Sequence, residues 1–122
     1  MNVYLVAAAV VCLLIWAAHT FLGSPEIAGP LLRADMPPVP KLTNYYCWHL
    51  VTIVLLAMSG GFLYAALVPS GRDVAWIMTA LSAAFCVWGF ALVVWKRQRS
   101  AHMPQWIFFA VLTAVAVPGL VS

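Results

Sequence analysis

"VYLVAAAVVCLLIWAAHTFL", residues 3–22, runs for 20 positions without a charged side chain. At 1.5 Å per residue, a helix of that length is about 30 Å long, the thickness of a bilayer's hydrocarbon core. Three further apolar runs follow, over about 45–68, 74–95 and 104–121, the last near the short limit for a span. The pattern predicts an all-α integral membrane bundle of four transmembrane helices, forming a single domain over 1–122. No Lys or Arg precedes the first run, and it is longer than the apolar core of a signal peptide, so it is expected to be retained.

Composition points the same way. The chain is 66% hydrophobic and 7% charged, with a mean hydropathy of +1.02, whereas about a quarter of an ordinary globular domain is charged. The net charge of +3 does not indicate nucleic acid, because the six Lys and Arg are not grouped into a surface that tracks a phosphate backbone. Cys12, Cys47 and Cys86 lie in apolar runs without CxxC spacing, which suggests neither a disulfide framework nor a zinc knuckle.

The charges instead report topology. With four spans, the 23–44 loop and the 96–103 segment share one side and carry Arg33, Lys41, Lys96, Arg97 and Arg99. The other side carries only Arg72. Positive-inside bias then places both termini on the non-cytoplasmic side and the 23–44 loop in the cytoplasm, the topology of a multi-pass membrane protein. Tyr45, Tyr46, Trp48, Trp95 and Trp106 would anchor the cytoplasmic interface; Tyr4, Tyr64 and Trp76 would anchor the opposite one.

The connections are unequal. "PSGRD" (69–73) is a tight turn that makes spans two and three an antiparallel hairpin. In the 23–44 loop, Ser24 is expected to cap a short helix with Pro25 at its first position and Glu26 near the positive end of its dipole. Gly29 and Pro30 should weaken that helix, and "MPPVPK" (36–41) reads as an extended strap into span two. Small residues at four-residue spacing, Ala57, Gly61 and Ala65 in span two and Ala110 and Ala114 in span four, are expected to line helix contacts, within the bundle or between protomers.

All three histidines, His19, His49 and His102, fall near the cytoplasmic ends of spans. Ionisable groups at such depth face the bundle or an aqueous cavity, and three imidazoles from separate helices match a tri-His metal site in ligand number. A transition metal or haem is thus a candidate cofactor, with Glu26, Asp35 and Met103 as nearby groups that complete a shell. Tyr45, Tyr46 and Thr52 share the face of His49 and would orient its ring; Cys47 points elsewhere. The alternative is that His19 and His49 bond to each other, to tyrosine or to backbone and only pin two helices. No HExxH, paired carboxylate, nucleophile elbow or phosphate loop is present.

"HTFLGSPEIAGPLL" (19–32), read as H-x3-G-x3-I-x2-P-L-L, together with "WH" at 48–49, resembles a group of short uncharacterised bacterial inner-membrane proteins. The resemblance covers about the first half of the chain. It implies a four-span fold, a bacterial source with the chain in the inner membrane, and no activity, and it groups His19, Gly23, Pro30, Trp48 and His49. Two functions are expected from these readings. One is a non-catalytic accessory or scaffold subunit that packs in the lipid bilayer against a larger membrane complex or as a homo-oligomer. The other is a metal- or haem-binding protein acting in redox chemistry or metal handling, with His19, His49 and His102 as ligands.

Overall fold

The computed structural model describes residues 1–122 and contains helices and turns but no strand. Helix α1 (Val3–Ala17) is followed by α2 (Gly29–Arg33), α3 (Pro38–Leu67), α4 (Arg72–Trp95) and α5 (Gln105–Val121). Val3–Leu22, Pro38–Leu67 and Pro69–Trp95 are long and apolar enough to cross a membrane; Gln105–Val121 is apolar but, at 17 residues, shorter. α1 packs against α3 and α5, and α4 against α5 and α3, giving an up-down ring in the order α1–α3–α4–α5.

The 23–44 segment is not the loop that its glycine and prolines suggest. The chain stays helical from Val3 to Arg33, passing through two π-helical segments, Ala18–Leu22 and Ser24–Ala28. Each lies just before a proline, Pro25 or Pro30, where a regular α-helix would push the proline ring into the carbonyl four residues back. In the wider turns, the Gly23 amide donates to the Ala18 carbonyl and the Gly29 amide to the Ser24 carbonyl. Ser24 makes no side-chain cap, and Gly29–Pro30 continues the helix rather than ending it. The extended strap shrinks to the residues around Pro37, because Pro38 and Pro40 fall in the first turn of α3, where amide donors have no helical partner to lose. α3 thus starts seven residues earlier than the apolar run and, with 30 residues, is about 45 Å long.

The core is built from Leu5, Ala8, Ala9 and Cys12 of α1, Leu55, Met58, Phe62, Ala65 and Ala66 of α3, Ala75 of α4, and Leu112, Ala116 and Leu120 of α5. Small α1 residues let α3 approach closely, so that Phe62, Leu55 and Met58 are fully covered. Only part of the expected small-residue pattern packs. Ala65 is buried and Gly61 faces Met78, but Ala57 and Ala114 are exposed; α5 turns Leu112, Ala116 and Gly119 inward instead.

Polar side chains tie the helices through backbone carbonyls. Ser59 Oγ donates to Ala9 O at 2.9 Å, Cys12 Sγ to Leu55 O at 3.3 Å, and Ser82 Oγ to Phe109 O at 3.2 Å. At the end holding the termini, Asn2 caps α1 through the Leu5 amide, donates from Nδ2 to Gly119 O at 2.8 Å, and donates its own amide to Ala66 O at 3.0 Å. Arg72 donates to Leu120 O. The last carbonyls of α5, which have no intrahelical donor, are met in this way.

The 69–73 turn is as tight as expected. Gly71 is buried, and a Cβ there would lie 2.9 Å from Ala65 Cα. At the other end of α4, Gln98 N bonds to Val93 O and Arg97 N to Val94 O, a Schellman cap whose left-handed position, φ 51°, is held by Arg97 rather than glycine. Gly71→Ala is therefore expected to lower unfolding stability in detergent micelles by about 1–3 kcal/mol. Arg97→Gly should raise it by about 1 kcal/mol by relieving the left-handed residue. A denaturation series that left Gly71→Ala at the wild-type midpoint would contradict the close approach described.

Candidate functional site

The end of the bundle opposite Asn2 carries the histidines. His19 lies in the first π segment and projects onto α3, where its ring stacks on Trp48 with centroids 3.9 Å apart and planes 20° from parallel. His19 Nε2 lies 3.0 Å from Thr52 Oγ1 and 3.2 Å from the Trp48 carbonyl oxygen, while the Thr52 hydroxyl donates to that carbonyl at 3.2 Å. One turn further along α1's continuation, Gly23 receives the far edge of the indole; a Cβ there would lie 2.7 Å from Trp48 Cη2. Paired spacings produce the unit: 19 and 23 on one helix meet 48 and 52 on the other, each pair four residues apart.

His49 does not join it. One residue on from Trp48, it points about 100° round the helix, is exposed, and takes the edge of the Tyr45 ring at a centroid distance of 4.7 Å. The face shared by Tyr45 and His49 thus follows the expected four-residue spacing, but Thr52 bonds to His19 instead, and Tyr46 is exposed. His102 does come close. The 99–103 turn, in which the amides of His102 and Met103 both bond Arg99 O, brings it over a cavity that His19 also lines.

That cavity, about 420 Å³, lies between the continuation of α1 and the start of α5, with α3 as its floor. Its polar lining is His19, Glu26, His102 and Gln105. Leu22, Ile27, Val51 and Phe108, all exposed, form its apolar rim. His49, Asp35 and Met103 do not line it. Nowhere do three or more His, Cys, Asp or Glu side chains gather as a ligand set for a metal ion, so the His19, His49 and His102 rings are not brought to a common point. The sequence pattern grouped Trp48 with His19 and Gly23, whereas Thr52, expected to orient His49, bonds His19.

Comparison with protein-family models, curated proteins and solved structures finds no match to the chain. The reading of the site therefore rests on its geometry.

If Gly23 exists to receive Trp48, the two positions must be coupled. Gly23→Ala is expected to cost about 1–3 kcal/mol in the wild-type background and less than about 0.5 kcal/mol when Trp48 is already alanine. A double-mutant cycle on unfolding stability measures this directly. Additive effects would show that the indole and the glycine do not depend on each other.

Proposed function

We propose that the chain is a four-span, non-catalytic integral membrane protein, with both termini on the non-cytoplasmic side and its basic segments in the cytoplasm, that serves as an accessory or scaffold subunit. The observation that carries this reading is where the interior polar groups go. Cys12, Ser59, Thr79 and Ser82 are all buried, and each donates its side-chain proton to a backbone carbonyl. The bonds of Cys12, Ser59 and Ser82 cross to a neighbouring helix and tie it in place, Thr79 bonds within α4, and none of these four groups lies beside a base. Arg33, Lys41, Lys96, Arg97 and Arg99 at one end, against Arg72 at the other, support the orientation. The 17 residues of α5 span a core of about 30 Å only with local thinning or help from flanking residues, which its Trp106 start supplies.

The outer surface supports an assembly role. Gly60 is exposed, a Cβ on it would have nothing within 4 Å, and Ala57 beside it is also exposed. A second helix can approach the backbone closely there, as small residues allow in lipid.

Two measurements follow. In a cysteine-free background, Ser70→Cys should react with a membrane-impermeant maleimide from outside intact cells, and Ala101→Cys only after permeabilisation. Reversed labelling would overturn the orientation. Gly60→Leu should leave the unfolding midpoint within about 0.5 kcal/mol of wild type, yet reduce the sedimenting mass of the protein extracted in mild detergent. An extract that sediments as a lone chain before and after the substitution would remove the accessory reading.

A further inference from the structure

The cavity beside His19 has a chemistry that the scaffold reading does not use. Trp48 O and His19 Nε2 are 3.2 Å apart. Were Nε2 unprotonated, two lone pairs would face each other at that distance, so Nε2 carries the ring proton and donates to Thr52 Oγ1 and Trp48 O. Thr52 passes its own proton to the same carbonyl. In the neutral imidazole, Nδ1 is then left as an acceptor, and it makes no hydrogen bond within the protein. Glu26 adds carboxyl oxygens to the same lining, and Gln105 and His102, on the α5 wall, can each accept or donate.

A ligand must donate hydrogen bonds where it meets His19 Nδ1 and Glu26, and no Lys or Arg lines the cavity to hold an anion. A phosphodiester or carboxylate headgroup has no proton to give and would face Glu26 uncompensated. The floor and walls carry the aromatic rings of Trp48, Phe108 and Phe109, which suit a flat ring. The rim is apolar and exposed, so entry is lateral, from the side that would meet lipid. The volume lies in the range of about 300–1,000 Å³ common for small-molecule sites.

We infer that this cavity binds a lipid-soluble hydroquinone, the reduced form in preference to the quinone, with one ring hydroxyl donating to His19 Nδ1 and the other to the α5 wall. The quinone presents two acceptor oxygens, and neither can be met by a lone pair at Nδ1. His19 is held for this task by Trp48 and Thr52, which act as positioning residues. The inference rests on the bilayer placement proposed above, which the maleimide labelling tests separately.

The test uses the full chain in detergent micelles under anaerobic conditions, titrated with duroquinol and with duroquinone. Binding is read by calorimetry. Saturable duroquinol binding at least tenfold tighter than duroquinone is expected. His19→Phe keeps a ring on Trp48 but removes the acceptor, so it should weaken duroquinol at least tenfold while changing duroquinone little; a purely structural role for His19 would weaken both alike. Val51→Trp lies on the exposed rim, outside the packed core, and should abolish both without shifting the unfolding midpoint. Absence of saturable binding, equal affinity for the oxidised form, binding that survives Val51→Trp, or displacement by added phosphatidylglycerol would each overturn the inference.

Discussion

Backbone hydrogen bonding is the constraint on which the rest of this structure depends. In a bilayer, helices this apolar would have no water to supply missing partners, and an unpaired backbone group there costs several kcal/mol. Prolines withdraw donors at Pro25, Pro30, Pro38, Pro40 and Pro118. The chain answers with wide turns before the first two and with a helix start at the next two, while Asn2 and Arg72 meet the terminal carbonyls of Gly119 and Leu120, which the end of α5 leaves without donors. The polar ties between helices spend the spare acceptor capacity of the same carbonyls. Interior serines therefore join elements at little cost, because a carbonyl already bonded once accepts a second time.

Trp48 organises the other end. Its ring is covered by His19 on one face and enters the notch at Gly23, and its carbonyl receives both the histidine and Thr52. The widened helix around His19 is what allows this, since each π turn shifts the register of the residues that follow relative to a regular helix. That widening also has a cost. Trp16 Nε1 and Thr20 Oγ1 are buried there without a partner, each unmet group worth about 1–3 kcal/mol.

Much of this was legible from residue order. The apolar runs located α1, α3, α4 and α5 to within a few residues, except at the start of α3, and Pro-Ser-Gly located the tight turn. The 23–44 segment was misread because glycine and proline are breakers in water-exposed α-helix, whereas π turns absorb them; nothing in a single sequence distinguishes the two. The partners of the histidines were not legible for a different reason. Height along the helices put His19 with His49, but rotation about α3 decides which side chain faces α1, and that rotation is fixed by Leu55, Ser59 and Phe62 packing on Ala8, Ala9 and Cys12. Those positions share a helical face with Trp48 and Thr52, not with His49. His102 was placed at the start of span four, but its approach to His19 was not, since the turn that carries it depends on the left-handed Arg97 and on Arg99 O accepting two amides.

The bonds of Asn2 also impose an order on biosynthesis. Its partners across the bundle are Ala66, Gly119 and Ser122, so nearly the whole chain must be made before residue 2 finds its final place. Until then α1 has only α3 to lean on, and the ring is open on the side that α5 will close. A nascent chain arrested before residue 105 would possess the His19–Trp48 stack but not the second wall of the cavity. The cavity is thus completed only when α5 has been made and has packed against α1.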